Sequence, residues 1–466
     1  MENSDFNIKD VIARDMCIGC GVCSIACAGK ISVDLGDDGL YRASIPSDVA
    51  ISELADTVCP FSNRTPNENI VGEALFHKLP YDRNIGRYRG LYAGRVANDN
   101  YIVGSSSGGL TTWLLKELLT TQRVDGVVHV APTGTPGHLF TYTISYSPEE
   151  LDARRKSRYA PVTLAGVLEK LRGNHHTYAV VGVPCFVTAL RHLIREVPAY
   201  GETISYIFGL VCGHGKGEMY AESLGWQAGI KPNELASLDF RVKSAANDKF
   251  YNVTATSLSG VTKSLADGVA FDTNWGVGAF MANACNYCDD VVAETADITF
   301  GDAWLPRYIS DPRGTNMVIT RNSVLDKLLN EGAARGELSL DPLTISDIVT
   351  AQAGGFRHRR VGLTVRLADD EKLGLKIPAK RVAPGYTGVS ETRIKLIRNR
   401  VRLSRQSFAD FAAARTGDNF EIYRRSMQKT ISSFERRDRL DKARAIVLAR
   451  IRILTRRAFR LLRNRV

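Results

Sequence analysis

The sequence predicts an α/β protein whose central body contains a largely parallel sheet. From Tyr88 onward, short apolar runs such as VDGVVHVAP and YAVVGVP alternate with segments whose apolar residues recur at helical spacing, such as LTTWLLKELLTT. This alternation is typical of parallel strands joined by helices. The chain has 466 residues, of which 44% are hydrophobic, and this length is enough for about three domains.

The elements of this body follow one another in a regular order. GLYAGRVA predicts a strand, SSSGG a turn, LTTWLLKELLTT a helix and VDGVVHVAP a second strand. Helix LAGVLEKLRG leads into strand YAVVGVP, which ends at Cys185, and FVTALRHLIRE with ISYIFGLVC repeats the pattern up to Cys212. Residues 235–320 predict shorter strands around a second cysteine pair, ACNYC. We divide the body into an N-terminal part, 86–170, and a C-terminal part, 171–370.

Three further segments flank the body. Residues 1–80 hold five of the nine cysteines and show little periodicity, so we expect a loop-rich module organised around a bound group. Residues 371–392 contain a Gly/Pro-rich stretch and predict a linker. Residues 393–466 contain 22 Lys and Arg against six Asp and Glu, a net charge of +16, whereas the preceding 392 residues sum to −5. The basic character of the chain is therefore confined to a predicted helical tail.

The chain shows no sign of export or of insertion into a membrane. It has no run of 18 apolar residues, and its N-terminus, MENSDFNIKD, lacks the basic and apolar regions of a signal peptide. We therefore expect a cytoplasmic protein. In a reducing compartment, nine cysteines indicate metal or redox chemistry rather than disulfides.

The stretch MCIGCGVCSIAC, residues 16–27, places four cysteines in one short loop. Zinc sites usually pair two C-x2-C hairpins, whereas three cysteines at successive two-residue gaps suit one face of a 4Fe–4S cluster. In ferredoxin loops the fourth cysteine of the run serves another cluster, and a remote Cys-Pro completes the first. Cys59-Pro60 is the only such dipeptide after the loop. The predicted ligands are therefore Cys17, Cys20, Cys23 and Cys59, with a zinc or bare-thiol loop as the alternative.

A second cluster is predicted farther along the chain. Cys185 and Cys212 end predicted parallel strands, where α/β sheets place their sites. Cys285 and Cys288 form a chelating pair in CNYC. Plain packing is the alternative for these side chains. The fourth ligand beside Cys212, Cys285 and Cys288 is either Cys185 or Cys27, which is left over from the first set.

Six segments in one order resemble the beta-subunit family of coenzyme F420 hydrogenases and dehydrogenases. They are the cysteine loop, SSSGGLTTWLLKELL, RKSRYAPVTLAGVLEKL, VVGVPCFVTALRHL, GLVCGHG and CNYCDDVVAETADITFGDAW, between about residues 14 and 365. The resemblance implies FAD beside one or two 4Fe–4S clusters, and it leaves coenzyme F420 open as a further cofactor. Bacterial members accompany exopolysaccharide synthesis, which favours a sugar or polyprenyl-linked substrate.

The sequence departs from the family's pattern in three places. Ala28 stands where proline usually follows the cysteine loop, and the second ferredoxin loop is reduced to Cys59. Position 158 is Arg where the family has Lys. The first two departures favour a ferredoxin-like module that holds one cluster. Cys27 is not a ligand of that cluster.

The segment VGSSSGG predicts part of a flavin site. It offers hydroxyls and flexible amides before a helix N-terminus that favours an anion, and an ordinary N-capped helix is the alternative. The basic run 155–158 is suited to cofactor phosphates or a reduced flavin ring, with a solvated turn as the alternative. Asp302 either caps a turn or binds cofactor. With the resemblance included, the predicted cofactor-binding residues are Ser106, Ser107, Gly108, Gly109, Thr112, Lys156, Arg158, Tyr159 and Asp302.

Two histidines are candidates for proton transfer. His129 and His214 lie nearest to predicted strand ends. A structural role is the alternative for each, and we assign no catalytic acid.

The end of the chain has a basic amphipathic pattern. One stripe of a helix from Leu440 contains Leu440, Val447, Ile451, Leu454, Ala458 and Leu462, and the opposite side contains Arg452, Arg456, Arg460 and Arg463. Such a helix suits an anionic membrane surface at the inner face or an acidic protein partner. Docking on the protein's own body is the alternative, and no DNA-binding motif supports nucleic acid. We expect the segment after Gly388 to be dispensable for cofactor binding.

Together these features predict a FAD- and 4Fe–4S-dependent oxidoreductase. It would pass electrons between a reduced carrier, ferredoxin-like or coenzyme F420, and a substrate. A flavin suits this pairing because it accepts electrons singly and delivers a hydride equivalent. The alternative is a non-catalytic electron-transfer or scaffold subunit that its basic tail docks to a membrane-bound partner.

Overall fold

The computed structural model describes residues 5–47, 52–244, 247–266 and 268–463. Its strands are β1 (Ser32–Leu35), β2 (Tyr41–Ser44), β3 (Tyr81–Asp82), β4 (Gly86–Arg87), β5 (Gly90–Val96), β6 (Gly126–Thr135), β7 (His138–Ser145), β8 (Tyr178–Gly182), β9 (Ile204–Leu210), β10 (Leu235–Ser244), β11 (Asn247–Ser257), β12 (Thr262–Leu265), β13 (Ile298–Asp302), β14 (Asn316–Thr320) and β15 (Leu338–Pro342).

Helices fill most of the chain between these strands. They are α1 (Ile8–Ala13), α2 (Val22–Ala26), α3 (Glu53–Val58), α4 (Glu68–Phe76), α5 (Asp99–Val103), α6 (Leu110–Thr120), α7 (Pro148–Arg154), α8 (Ala165–Leu171), α9 (Pro184–Glu196), α10 (Ala199–Thr203), α11 (Glu218–Gln227), α12 (Ser323–Ala334), α13 (Ile345–Ala351), α14 (Ala353–Arg359), α15 (Val361–Lys372), α16 (Glu391–Thr416) and α17 (Phe420–Arg463). Two short 3-10 helices span Pro232–Glu234 and Asn283–Asn286.

Eight strands form the central sheet, in the order β15-β5-β14-β13-β9-β8-β6-β7. The four central strands β13, β9, β8 and β6 run parallel to one another. The pairs farther out, β13 with β14, β14 with β5, β5 with β15, and β6 with β7, are antiparallel. Every residue of β8 is buried, as expected for a strand with both faces covered. The predicted α/β body is thus confirmed, with a parallel centre and antiparallel edges.

The sheet brings two of the cysteines to the same edge. Cys185 is the second residue of α9, which begins two residues after β8, and Cys212 lies two residues after β9. β8 and β9 are parallel neighbours, so their carboxyl ends lie side by side. This is the edge where open α/β sheets place their sites.

The N-terminal residues form short helices around a two-stranded sheet of β1 and β2. Asn7 and Asp10 form a reciprocal capping box at the start of α1. Ala28, after the cysteine loop, has a φ of +53°, whereas the ring of proline fixes φ near −65°. Proline would therefore not fit the backbone conformation at this position. A ferredoxin-like fold for this module stays a prediction.

The linker of residues 371–392 is held against the body. Arg381 forms ion pairs with Glu68 at 3.3 Å, Asp289 at 3.4 Å and Glu294 at 2.7 Å. Its side chain is 6% exposed. The segment without helix or strand after α15 is consequently fixed by buried charge pairs.

The C-terminal segment differs from the predicted separate tail. α16 and α17 form a helical hairpin whose buried Leu403, Phe411 and Tyr423 pack in one apolar cluster with Met219 and Phe280 of the body. The expectation that everything after Gly388 is dispensable for cofactor binding does not fit this packing. The described part of the hairpin instead agrees with the alternative of docking on the protein's own body, which the basic composition of the segment conceals.

Part of the predicted amphipathic stripe can be placed. Leu440 and Val447 are each 56% exposed, and the side chains of residues 448–463, with the rest of the stripe, lie outside the described part of the chain. Among the described helices, none combines the length and the apolar character needed to cross a membrane.

Candidate functional site

The first predicted set of cysteines lies together beside α2. Cys23 interacts electrostatically with Cys20, Cys59 and Cys17 in turn, and Cys59 interacts with Cys20 and Cys17. The backbone N–H groups of Gly19 and Ala43 donate to Cys17 Sγ at 3.4 and 3.3 Å. Burial raises the pKa of Cys20 to about 12, so a thiolate here needs a compensating positive charge, which cluster iron would supply.

The second predicted set also comes together. Cys185 interacts electrostatically with Cys288, Cys212 and Cys285, and burial raises its pKa. The N–H of Gly215 donates to Cys285 Sγ at 3.1 Å. Hydrogen bonds of this kind are among the features that set the potential of an iron–sulfur cluster.

Cys185, rather than Cys27, is placed with the second set. Cys27 ends α2 and is 8% exposed, and the charges that act on it after burial are those of Lys30 and Asp56. It interacts electrostatically with Cys23 of the first set. Of the two alternatives for the fourth ligand, the geometry therefore favours Cys185.

The two sets are neighbours. Cys185 interacts electrostatically with Cys20, and a Cβ at Gly215 would lie 3.5 Å from Ile18 Cδ1 and 3.6 Å from Cys285 Sγ. Within the described residues, no three His, Cys, Asp or Glu side chains are close enough to hold one metal ion. A 4Fe–4S cluster instead requires four cysteines, each bound to a different iron.

A cavity of about 1110 Å³ adjoins the second set. This volume slightly exceeds the usual range of small-molecule sites, about 300–1,000 Å³. All four cysteines of the second set line it. Eight of the nine predicted cofactor-binding residues line it as well: Ser106, Ser107, Gly109, Thr112, Lys156, Arg158, Tyr159 and Asp302.

Gly108 is the exception among the predicted residues. A Cβ at this position would lie 2.6 Å from Gly94 O and 3.0 Å from Asn316 N. Gly108 therefore lets the loop of residues 103–109, called the serine loop below, pack against β5 and β14. Gly108 does not line the cavity. The sequence pattern could not separate this packing role from a ligand contact.

A hydrogen bond connects the serine loop to residues 155–158, called the basic segment below. Ser106 Oγ accepts a hydrogen bond from the Ser157 N–H at 2.8 Å. Lys243 Nζ donates to the carbonyl oxygens of Ile102 at 2.7 Å and Ser107 at 2.9 Å, which ties Ser107 to the end of α5. Ser107 Oγ is buried without a hydrogen-bond partner among the described residues. It is thus free to bind a ligand.

The basic segment has two residues in the cavity lining with a buried unsatisfied nitrogen among the described residues, Arg155 (Nη1) and Arg158 (Nε). Arg158 lies over the ring of Phe140 at 5.3 Å, and burial lowers its pKa. Its Nε is buried without a hydrogen-bond partner in the described part of the chain. Lys156, in contrast, is neutralised by Asp239 at 3.0 Å. A phosphate or another anion at Arg158 would complete the hydrogen bonding of its guanidinium.

Asp302 forms an ion pair with Arg241, which the sequence pattern did not reveal. Arg241 binds both of its carboxylate oxygens, at 2.8 and 3.2 Å, and is 6% exposed. The Arg241 guanidinium also lies 4.0 Å from the ring centre of Tyr251. Asp302 therefore orients an arginine in the cavity wall.

Trp275 connects two parts of the cavity. Its ring centre lies 5.1 Å from that of Tyr159 and 4.4 Å from that of His214. His214 is 4% exposed, and its Nε2 has no hydrogen-bond partner among the described residues. Burial lowers the pKa of His214 well below its ordinary value.

His129 differs from His214 because its ring is satisfied. Its Nε2 lies 2.8 Å from Ser145 Oγ, and burial, followed by the charge of Arg154, lowers its pKa to about 4. The hydrogen bond favours the structural alternative for His129, and of the two candidates His214 is the one with a buried ring nitrogen that has no partner among the described residues.

The sequence analysis missed three basic side chains of the site. Lys216 is 3% exposed and lies 4.3 Å from the ring centre of Tyr220, and burial lowers its pKa to about 7. Arg359 contacts Cys288, and Arg400 contacts the carbonyl of Trp275. The only signal was their position, Lys216 just after GLVCGHG and Arg359 in the basic run FRHRR.

The matched regions of the chain identify its family. Residues 91–169 match the N-terminal part, and residues 175–346 the C-terminal part, of the family described as coenzyme F420 hydrogenase/dehydrogenase, beta subunit. The chain belongs to this family. The resemblance predicted from the six segments is thereby confirmed.

Two curated relatives are similar over most of the chain. One is a subunit of the F(420)H(2) dehydrogenase of Methanosarcina mazei, which is 24% identical over 72% of this chain and 87% of its own length. The coenzyme F420-dependent sulfite reductase of Methanocaldococcus jannaschii is 21% identical over 73% of this chain. The matched region spans 49% of the sulfite reductase. Both relatives are oxidoreductases or parts of one, in agreement with the predicted class.

A solved structure is also similar. It belongs to the F420-reducing NiFe hydrogenase complex from Methanosarcina barkeri, studied by xenon derivatization. The similarity covers 65% of this chain and 99% of that chain, with 15% sequence identity and a TM-score of 0.49.

Proposed function

We propose that this chain is an iron–sulfur flavoprotein subunit that passes electrons between a reduced carrier, two 4Fe–4S clusters, FAD and a substrate. One observation carries the proposal: a single cavity is lined by the second cysteine set, by the serine loop and by the basic segment. The first cysteine set adjoins the second. Redox groups held in these places would be neighbours.

The unsatisfied groups of the cavity fit a flavin nucleotide. Ser107 Oγ and Arg158 Nε are buried without partners among the described residues, and both suit phosphate oxygens. Tyr159 and Trp275 offer aromatic faces. FAD bound here would supply the exchange between single electrons and a hydride equivalent.

The cysteine sets fit two clusters. The predicted ligands are Cys17, Cys20, Cys23 and Cys59 for the first and Cys185, Cys212, Cys285 and Cys288 for the second. In each set the thiols are held within electrostatic range of one another. Donors to sulfur come from Gly19 and Ala43 in the first set and from Gly215 in the second.

The carrier and substrate are proposed from the relatives and the family. The names of the relatives support coenzyme F420 as a carrier, and a ferredoxin-like donor is the other candidate. A sugar or polyprenyl-linked substrate of exopolysaccharide synthesis rests on the family resemblance alone. Anaerobic mixing with reduced F420 or reduced ferredoxin distinguishes the carriers, because only the true donor should bleach the flavin absorption.

Removing the cationic side chain at position 158 tests the flavin site. Arg158→Gln should weaken FAD binding about tenfold or more, because a charge-assisted hydrogen bond is lost, while the iron content stays unchanged. The matched control is Arg123→Gln, at an exposed position outside the cavity. Equal FAD affinity in both variants would argue against a flavin at this place.

A second candidate role concerns membrane docking. The residues after Lys442 include eight arginines and no Asp or Glu, and each basic residue near anionic lipid adds about 1 kcal/mol, less at high salt. In this role the chain is a cytoplasmic electron-transfer or scaffold subunit held at the inner membrane face. An acidic protein partner would be recognised by the same charges.

Deleting residues 443–466 tests this docking and leaves the buried hairpin residues Leu403, Phe411 and Tyr423 in the chain. The truncated protein should keep flavin and iron but no longer sediment with anionic vesicles of phosphatidylserine and phosphatidylcholine. Full-length protein that ignores such vesicles at low salt would refute membrane docking.

A further inference from the structure

The C-terminal hairpin forms one wall of the cavity. Seven of its residues line it: Arg393, Leu396, Ile397 and Arg400 from α16, and Phe434, Asp438 and Lys442 from α17. The hairpin begins at Glu391, whereas the region that matches the family ends at residue 346. This wall therefore lies outside the region that matches the family.

The wall is firmly attached to the loop that precedes the second cysteine pair. Ser407 Oγ accepts from the Phe280 N–H at 2.7 Å, and Ser404 Oγ donates to Met281 O at 2.7 Å. Arg400 Nη2 donates to Trp275 O at 3.0 Å. Side chains on this wall are consequently preorganised relative to Trp275 and to the cysteines.

The charge on this side of the cavity is unbalanced. Arg393 pairs with Asp438 at 2.7 Å and also with Asp441, and Lys442 pairs with Asp438 at 2.5 Å, so these four charges balance one another. Arg357, exposed at the rim, and Arg400 also line the cavity. Neither forms an ion pair with any described carboxylate. The Arg400 guanidinium, whose Nε is buried, has no carboxylate partner among the described residues, which is costly, and an anionic ligand would reduce that cost.

Two unused hydrogen-bonding atoms point to the same ligand chemistry. Arg400 Nε and His214 Nε2 are buried without a hydrogen-bond partner in the described structure. Arg400 Nη2 lies 3.3 Å from His214 Nδ1. Since Nδ1 accepts from the guanidinium, Nε2 is the ring atom that bears hydrogen and can donate. Both unused atoms are therefore donors.

We infer that the hairpin side of the cavity binds an anionic group of the substrate, a phosphate or a carboxylate, through Arg357, Arg400 and His214. Planar guanidinium donors match the oxygens of either group. The indole of Trp275 lies between this place and Tyr159, on the proposed flavin side. The inference rests on the proposed function, because it assigns FAD to the serine-loop side.

The test uses full-length protein prepared anaerobically with its flavin and iron. Calorimetric titration with pyrophosphate and with succinate, at constant ionic strength, should show saturable binding of at least one probe. The probe that binds distinguishes phosphate from carboxylate chemistry. Arg400→Gln and Arg357→Gln should each weaken binding about tenfold, and Arg436→Gln, at an exposed position outside the cavity, should leave it unchanged.

The outcomes separate this inference from the proposed function. Protein that contains neither flavin nor iron contradicts the proposed function before a probe is added. Loaded protein that binds neither probe, or binds one equally in both variants, overturns the anion site. If Arg400→Gln loses iron or fails to fold, Arg357→Gln decides alone, because Arg357 contacts none of the predicted cysteine ligands. Weaker binding in Ser107→Ala but not in Arg357→Gln would place the anion at the serine loop, and this also overturns the inference.

Discussion

Arg359 Nε donates a hydrogen bond to Cys288 Sγ over 3.3 Å, and the Arg359 residue is 1% exposed. Its Nη1 donates to Gly213 O at 2.9 Å, next to Cys212. Burial opposes the charge of this guanidinium, but Cys288 and Cys212 outweigh it and raise the pKa of Arg359. The buried arginine beside the second cysteine set is thus balanced by sulfur.

Replacing this charge should shift the potential of the proposed second cluster. Arg359→Gln removes a positive charge and a donor to sulfur, so the reduced, more negative cluster is destabilised and its midpoint potential falls. Arg359→Lys keeps the charge and should shift the potential less. Redox titration followed by EPR measures both clusters, and the first serves as an internal control. If the midpoint potential of the second cluster is unchanged in Arg359→Gln, the charge of Arg359 is not balanced by the cysteine sulfurs as described above.

The fourth ligand of the second cluster can be decided by two alanine variants. Because Cys185 lies with Cys212, Cys285 and Cys288, Cys185→Ala should lose about four iron atoms per chain. Cys27→Ala should keep its iron. Iron and sulfide analysis after anaerobic purification gives the answer, and the opposite pattern would transfer the role to Cys27.

The backbone at Ala28 predicts opposite effects for two substitutions. A φ of +53° and the hydrogen bond from Ala28 N to Ile25 O at 3.2 Å exclude proline, and Ala28→Pro should cost about 3 kcal/mol or more. Ala28→Gly should stabilise by about 1 kcal/mol, because glycine adopts positive φ without steric cost.

Urea unfolding of both variants under anaerobic conditions measures these differences. The free energy of unfolding should be highest for Ala28→Gly, intermediate for the wild type and lowest for Ala28→Pro. A proline variant as stable as the wild type would show that the loop has a different backbone conformation.

Glu218 should make stability depend on pH. It is 3% exposed, and burial raises its pKa from 4.5 to about 7. The folded carboxyl therefore holds its proton more tightly than the unfolded one, so its contribution is complete below about pH 4.5 and is lost as the pH rises through 7. Glu218→Gln keeps an acceptor for the Leu139 N–H and has no charge to bury.

At pH 8 the Glu218→Gln variant should be more stable than the wild type by on the order of 1–3 kcal/mol, and at pH 4.5 the two should agree. Urea unfolding at both values measures this. Glu391→Gln, at an exposed position, is the control. Equal stability of wild type and Glu218→Gln at pH 8 would show that the carboxyl is solvated.

Features with local signals could be predicted from the sequence. Unbroken apolar runs indicated the strands of the body, and β8 is buried throughout. Cysteines were predicted as two sets because ligands follow spacing rules and strand ends. The serine loop was found because it precedes a helix, α6, with apolar residues at regular helical spacing.

Residues without a local signal could not be predicted. Arg241 meets Asp302 across 61 positions of sequence, and Lys243 meets Ser107 across 136. Such contacts depend on how β10 packs against the central body, which no local pattern records. The sequence left the packing of the hairpin open for a related reason, since Phe411 and Tyr423 pack against Phe280, which lies far away in the sequence.

The content of iron, sulfide, zinc and flavin in anaerobically purified full-length protein tests the central claim most directly. The account predicts about eight iron and eight sulfide per chain, in two 4Fe–4S clusters, together with about one FAD and no stoichiometric zinc. Stoichiometric zinc without sulfide, or iron-loaded protein without any flavin, would contradict it.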